Sequence, residues 1–447
     1  MSLRDRVQAQ IPGVLSDLKS LVAIQSVSAD PARASEVERS AQRVLDLLED
    51  LGCPDARVVR ANGGAPAVIG RFPAPEGMPT VCLYAHHDVQ PEGDPAGWRT
   101  PPFVATEVED RLFGRGTSDD KGGFAVHLAA LRAFEGKPPV GVTVLVEGDE
   151  EIGSLSLVQL LEEHRAELAA DVFVITDSCN WAVGQPAFTT ALRGLAGCTV
   201  EVRTLDHALH SGVYGGVVPD ALTALCRMLA TLHDDEGNVA VAGLGTTTAP
   251  ALDYPPERLR AESGILDGVD WIGSGSFVER MWYKPAVSVI AVDATPVAKA
   301  SNTLIPLARA RISARLAPGD DAAKALDSLV AHLNDHAPWG AQVAIVETET
   351  SESSMIDFSG PYAEAARAAF AEAWGVEPVF VGQGGSIPLV ADFGKVFPQA
   401  TILITAVGDP DSRAHGPNES LHLGDFVAAC LAETLMLDAF AQLDLES

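Results

Sequence analysis

The chain has 447 residues, which is long enough for two domains that each bury a core. Apolar residues make up 47% of it, yet no run approaches the roughly eighteen uninterrupted apolar residues of a membrane span. Sixty-one acidic residues against 31 basic ones give a formal net charge of −30, which argues against nucleic acid or an anionic membrane as a partner.

The first predicted element is an amphipathic helix rather than a signal peptide, because apolar residues recur at helical spacing between charged ones. These apolar residues are Val7, Ile11, Val14, Leu18, Leu21 and Val22. The six cysteines are scattered without a paired spacing, which is typical of small buried side chains in a reducing compartment. We therefore expect a soluble, cytoplasmic protein.

Four short runs of strand type are each followed by a histidine or a carboxylate. The runs are Thr80 to Tyr84 before His86 and Asp88, Val142 to Val146 before Glu150 and Glu151, Val172 to Ile175 before Asp177, and Thr401 to Ala406 before His415. A fifth stretch, residues 114–123, supplies Asp119. Ligands gather at the carboxyl ends of strands in open α/β sheets, so these residues predict one common site.

The chemistry of these side chains indicates a site for two metal ions. Histidine and carboxylate ligands without thiolate suit Zn, Mn or Co, and a two-ion site needs a bridging carboxylate and a base that binds neither ion. Taken singly, each residue is better explained as an ordinary surface or core group, and Glu150-Glu151 could be the acidic start of a helix. We predict structural or solvent-facing roles for the remaining candidates, His87, His127, His164 and His422.

The order of predicted elements divides the chain into three parts. Residues 1–186 and 357–447 alternate helix-type and strand-type segments, whereas residues 187–356 have a different order of predicted helices and strands. The predicted elements there are a strand Gly197 to Val202, a helix Pro219 to Leu232, strands Ala286 to Ala291 and Ala308 to Leu316, a helix Ala322 to Leu333, and a strand Gln342 to Val346. This order predicts a ferredoxin-like α+β domain inserted into an α/β domain, with residues 236–280 as an irregular elaboration.

The five stretches resemble a family of two-metal metallopeptidases. This family includes carnosinases, bacterial dipeptidases, acetylornithine deacetylases, succinyl-diaminopimelate desuccinylases and glutamate carboxypeptidases. The resemblance runs from about residue 10 to about 440 and is closest to the carnosinase-like dipeptidases. It implies a zinc-peptidase-like catalytic domain with a mixed sheet flanked by helices, and an inserted lid and dimerisation domain. It also implies a homodimer, a small peptide substrate and two divalent ions per chain, with Zn favoured and Mn or Co as alternatives.

The resemblance assigns a role to each residue of the predicted metal site. The implied ligands are His86 and Asp177 for one ion, Glu151 and His415 for the other, and Asp119 as the bridge. Asp88 would orient His86, and Glu150 would be the general base that takes a proton from the attacking water. A cis peptide bond between Asp119 and Asp120 is also implied.

Residues of the inserted domain and of a later loop are implied to contact the substrate. Residues 209–216 match a lid loop whose histidine, here His210, enters the partner subunit's site to stabilise the oxyanion, although the segment could also be a helix-initiating turn. Asn302 and Arg315 match residues that hold the substrate carboxylate, a role that suits the forked arginine side chain. The loop Gly384, Gly385 and Ser386 offers N–H donors to an anion. One departure precedes this loop, because Gly382-Gln383 stands where the family often has Arg-Glu.

The predicted function is hydrolysis of unblocked dipeptides or short peptides. In the resembling family, dipeptidases tend to have Asp at the position of Asp177, whereas deacylases tend to have Glu. One alternative is an N-acyl-amino-acid deacylase that shares the metal site. Another is a catalytically silent metal-binding or scaffold protein, and the presence of Glu150 argues against it.

Overall fold

The computed structural model describes residues 1–384 and 388–444, and its contacts divide the chain into two compact units. The first unit comprises Met1–Thr190, Ile356–Val381 and a C-terminal segment that begins at Pro388. The second comprises Ala191–Met355 and a short segment that begins at Gly382. Among the described residues, no helix combines the length and the apolar character that crossing a bilayer requires.

The helices and strands follow one another in this order along the chain. The helices are α1 (Leu3–Val22), α2 (Ala34–Asp50), α3 (Lys121–Ala133), α4 (Leu157–Glu163), α5 (Arg165–Leu168), α6 (Ser211–Tyr214), α7 (Ala221–Ala230), α8 (Pro256–Ser263), α9 (Ala322–Asp335), α10 (Gly360–Trp374), α11 (Pro388–Val396) and α12 (Leu423–Phe440). The strands are β1 (Asp55–Val59), β2 (Ala67–Phe72), β3 (Thr80–His86), β4 (Thr106–Val108), β5 (Arg111–Phe113), β6 (Gly141–Glu147), β7 (Val172–Ile175), β8 (Ala187–Leu192), β9 (Gly194–Arg203), β10 (Leu209–His210), β11 (Ala286–Asp293), β12 (Thr303–Leu304), β13 (Leu307–Leu316), β14 (Gln342–Ser351), β15 (Ser354–Met355), β16 (Val379–Gln383), β17 (Thr401–Ile404) and β18 (Ser420–His422).

The first unit is built on a mixed sheet with helices packed against it. Its strand order is β1-β2-β6-β3-β7-β17-β8, and the four neighbours β6, β3, β7 and β17 run parallel. These are the four strands that the apolar runs predict. Strands β3, β6 and β7 are buried along nearly their whole length, and β17 is buried in its second half, because a parallel sheet is covered on both faces.

The predicted N-terminal helix is confirmed as α1. Its start is set by a capping box in which the Ser2 hydroxyl accepts from the Asp5 N–H at 3.2 Å and the Asp5 carboxylate accepts from the Ser2 N–H at 3.0 Å. The predicted apolar face is buried: Val7, Ile11, Val14, Leu18, Leu21 and Val22. Helices α3 and α12 pack against this face and complete the core there.

The second unit has the predicted ferredoxin-like topology. Its antiparallel sheet has the order β11-β13-β9-β14, and α7 and α9 bury their apolar faces against it. Along the chain this is β-α-β-β-α-β, which defines that fold. Strands β11 and β14 run further than predicted, to Asp293 and Ser351. The segment 236–280, which is predicted to be irregular, contains one α-helix, α8. A lid and dimerisation role for this unit stays a prediction.

Candidate metal centre

The parallel strands of the first unit bring the predicted ligands to one edge of the sheet. Strand β3 ends at His86, and β7 ends two residues before Asp177. After β6, a single 3-10 turn, Glu150–Ile152, carries two adjacent carboxylates. Because neighbouring parallel strands end at the same edge, residues that lie far apart in the sequence meet there.

The candidate ligand atoms fall into two clusters, and Asp119 of the second cluster also contacts His86 of the first. The first cluster consists of His86, Glu150 and Asp177, and the second consists of Asp119, Glu151 and His415. Within each cluster, the ligand atoms lie within 4.8 Å of one another. The two carboxylate oxygens of Asp119 point to different clusters. Oδ1 lies 3.1 Å from Nε2 of His86, and Oδ2 lies 3.0 Å from Nε2 of His415. Asp119 therefore has the geometry of a bridging carboxylate.

Buried neighbours hold the candidate ligands in place. Asp88 is fully buried, with Oδ1 3.3 Å from Nδ1 of His86 and Oδ2 accepting from the N–H of Glu151 at 3.1 Å. The Glu151 carboxylate also accepts from the backbone N–H of Gln90 at 3.0 Å and from its side-chain amide at 2.8 Å. Gln90 lies in a stretch that the sequence singles out, but the sequence analysis gave it no role. Outer partners of this kind fix the orientation of metal ligands.

The charge of the centre fits divalent cations. Burial raises the pKa of Glu150 to about 8 and that of Asp177 to about 7, although His86 opposes both shifts. Hydrogen bonds to Asp119 and Glu151 raise the pKa of His415 to about 10. Four carboxylates thus lie close to two imidazoles in a largely buried site, and bound cations would stabilise the charged form of these carboxylates. Oxygen and imidazole donors without thiolate suit Zn, Mn or Co.

The peptide bond between Asp119 and Asp120 is cis, as the resemblance implies. The Asp120 carboxylate belongs to neither cluster and accepts from the backbone N–H of His86 at 3.2 Å. It therefore holds the end of β3 beside the loop that carries Asp119.

Two of the four remaining histidines have clear structural roles. His87 is buried with Nε2 2.8 Å from the Pro66 carbonyl oxygen, and burial lowers its pKa to about 4. His127 is buried with Nδ1 2.9 Å from the Glu433 carboxylate. His164 and His422 likewise fall outside both ligand clusters within the described part of the chain.

The second unit brings two of its predicted substrate residues together. Strand β10 pairs with β12 so that His210 lies opposite Thr303, and the Ser211 N–H donates to the Asn302 carbonyl oxygen at 2.9 Å. The His210 side chain is exposed, and its Nδ1 accepts from the Gly212 N–H at 3.1 Å. His210 therefore caps the short helix α6, whereas α7 begins later with Asp220 as its N-cap.

Arg315 lies on the central strand β13 of the second unit, between Leu195 and Ala286 of the neighbouring strands. It is half-buried, and within residues 1–384 and 388–444 no carboxylate forms an ion pair with it. Gly384 is exposed after β16. Gly385 and Ser386 lie outside the described residues.

The unusual Gly382 has a steric explanation. A Cβ atom at this position would lie 2.6 Å from Cβ of Trp282, which is closer than real side chains approach. An arginine therefore has no room at residue 382 unless Trp282 moves. The structure thus explains why glycine stands at residue 382 in place of the family's arginine, but it does not explain Gln383 in place of the glutamate.

This fold and these clustered candidate ligands define a class, the metal-dependent hydrolases whose ligands lie at the carboxyl ends of parallel strands in an α/β domain. The chain belongs to peptidase family M20/M25/M40, whose sequence pattern matches residues 82–438. The predicted family and its metallopeptidase class are therefore confirmed.

Relatives and a solved structure agree with the predicted branch. The chain is 34% identical over 431 residues to a cysteinylglycine-S-conjugate dipeptidase of Corynebacterium striatum, a match that covers 95% of this chain and 94% of the relative. It is 27% identical over 445 residues to the Beta-Ala-His dipeptidase of Homo sapiens, covering 92% and 86%. The crystal structure of human carnosine dipeptidase 1 superposes with a TM-score of 0.81 at 25% identity and covers 99% of this chain and 98% of that one. The carnosinase-like dipeptidase branch is thus confirmed.

Proposed function

We propose that the protein is a two-metal dipeptidase that hydrolyses the amide bond of unblocked dipeptides or short peptides. The observation that carries the proposal is the position of Asp119, whose two oxygens each face the histidine of a different ligand cluster. The dipeptidase relatives support the same reaction.

The proposed ligands are divided between the two ions as follows: His86 and Asp177 bind one, Glu151 and His415 bind the other, and Asp119 binds both. We propose Zn as the metal, with Mn or Co as alternatives, because the donors are imidazole and carboxylate. When bound, such ions would polarise a substrate carbonyl and make a nearby water a stronger acid.

The protein's own residues then move the proton. Glu150 lies beside the first cluster, with Oε2 3.9 Å from Nε2 of His86. We propose that Glu150 takes a proton from the attacking water and passes it to the leaving amine, as a general base and then a general acid. Asp88 keeps His86 and Glu151 in place during this transfer, and His210 stabilises the oxyanion as a hydrogen-bond donor.

Groups at both ends of the substrate would limit its length to about two residues. We propose that the short carboxylate of Asp177 leaves an acidic edge for a free α-amino group. At the other end, Asn302, Arg315 and the loop Gly384, Gly385 and Ser386 would hold the carboxylate. The absence of an acidic partner for Arg315 among the described residues supports this role, since its guanidinium stays available for a ligand.

The test of this function compares a dipeptide with its N-acetyl form under saturating Zn or Mn. Acetylation should lower kcat/KM by at least about 10²-fold, because the acidic edge loses its ammonium partner. The dipeptide amide, which lacks the terminal carboxylate, is the matched probe of the other end. Faster cleavage of the acetylated form would establish the deacylase alternative. Cleavage of neither form by protein with two bound ions would establish a silent metal-binding protein.

We also propose that the protein is a homodimer in which His210 acts on the partner's site. Mixing an inactive His210→Ala chain with an inactive Glu150→Gln chain should then restore about a quarter of wild-type activity. Half of randomly exchanged dimers are hybrids, and each hybrid has one intact site of two. Activity is measured after exchange, with each variant mixed with itself as the control. Verified hybrids without restored activity, or a fully active monomer in scattering, would contradict the proposal.

A cytoplasmic location is the last part of the proposal. All six cysteines are free, including the buried Cys53, Cys82, Cys198 and Cys430. Free thiols in this number fit a reducing compartment.

A further inference from the structure

Glu419 is a fully buried carboxylate that binds the loop of the bridging aspartate. It lies four residues after His415 and is 0% exposed. Its Oε1 accepts from the backbone N–H groups of Gly116 at 2.9 Å, Ser118 at 3.0 Å and Asp119 at 3.1 Å. The Ser118 hydroxyl donates to the same oxygen at 3.2 Å. One side chain therefore satisfies three backbone donors of a buried loop, and these donors would otherwise cost stability.

Arg115 extends this contact to two further loops. Its Nη1 donates to Oε2 of Glu419 at 2.6 Å, and Nη2 donates to the carbonyl oxygens of Pro91 at 3.1 Å and Gly416 at 3.3 Å. The guanidinium is 1% exposed and lies over the Trp98 ring, 5.5 Å from its centroid. Pro91 follows His86 by five residues, and Gly416 follows His415 directly. The pair thus connects the three loops that carry His86, Asp119 and His415.

We propose that Glu419 and Arg115 are positioning residues that set the separation and orientation of the two ligand clusters. The inference rests on the two-metal site proposed above. A bridging carboxylate serves both ions only when its two oxygens stay within about 0.5 Å of their places. Glu419 accepts directly from the backbone of Asp119. Arg115 donates both to the Glu419 carboxylate and to the carbonyl oxygen of Gly416, which follows His415. The pair therefore acts on metal binding through Asp119.

A buried ion pair could instead serve the fold alone, and the two roles predict different results for two variants. Glu419→Gln leaves Arg115 buried without its counter-charge, so it should lower both the free energy of unfolding and the metal affinity. The double variant Glu419→Gln/Arg115→Met removes the unpaired charge, and such replacements often recover stability. If the pair positions the ligands, the double variant recovers stability but not metal affinity.

The experiment measures Zn²⁺ affinity by chelator competition and the absorption spectrum of the Co²⁺-substituted protein. In both variants we expect Zn²⁺ to bind about 10- to 100-fold more weakly and the Co²⁺ spectrum to change, since outer partners of ligands have effects of this size. In the metal-free protein, hydrogen exchange at the amides of Gly116, Ser118 and Asp119 should become faster. This last measurement reports on the loop without any metal.

The matched control is Glu433→Gln, which also removes a buried carboxylate that pairs with a basic side chain, His127. It should lower stability and leave the Zn²⁺ affinity and the Co²⁺ spectrum as in the wild type. Wild-type metal binding in both Glu419 variants, or an equal loss of affinity in Glu433→Gln, would overturn the positioning role. If the wild-type protein itself binds no metal, the proposed function fails. That result differs from the two outcomes that would overturn the positioning role alone.

Discussion

Glu150→Gln is expected to keep both metal ions and to lower turnover by about 10²- to 10⁴-fold, because the change removes a base and no ligand. The amide is nearly the same size as the carboxylate but cannot take a proton from water. Glu150 is the side chain whose role most needs this test, since its carboxylate lies within 4.8 Å of the ligand atoms of His86 and Asp177.

The measurements are the metal content of the purified variant and its kcat on a dipeptide with metal in excess. The matched control is Glu162→Gln, the same substitution at a half-exposed position of α4, where the side chain is 53% exposed. Its metal content and turnover should equal those of the wild type. Loss of one ion in Glu150→Gln would make Glu150 a ligand, and unchanged turnover would remove it from the mechanism.

Asp119→Ala is expected to lose both ions, and activity with them. The variant takes one oxygen ligand from each cluster, because Oδ1 faces His86 and Oδ2 faces His415. The remaining carboxylates and imidazoles then lack the group that links them, and mutual repulsion of the carboxylates is no longer offset by bound cations.

Metal analysis after equilibration with a small excess of Zn²⁺ tests this expectation. Asp50→Ala, at an exposed position at the end of α2, is the control and should bind both ions. Full occupancy of both sites in Asp119→Ala would refute the bridging role. Retention of a single ion would show that one cluster binds metal without the bridge.

The sequence by itself determined the four strands that lead to the site and the residue types that follow them. The reason is that these signals are local. Four apolar runs are each too short for a helix and are followed by His86, by Glu150 and Glu151, by Asp177 and by His415, so each can be detected within about fifteen residues. The order of elements in the second unit could also be predicted, because helix and strand periods differ along the chain itself.

Only the tertiary structure decided which atoms meet. The two oxygens of Asp119 reach His86 and His415, and the sequence separation between Asp119 and His415 is nearly 300 residues, so no local pattern indicates it. The same holds for Glu419, whose buried contacts with Arg115 and the Asp119 loop have no periodicity in the sequence. The steric limit that Trp282 places on Gly382 depends on close packing between residues about a hundred positions apart. Local periodicity specifies elements, whereas distances within a site are set by how those elements pack.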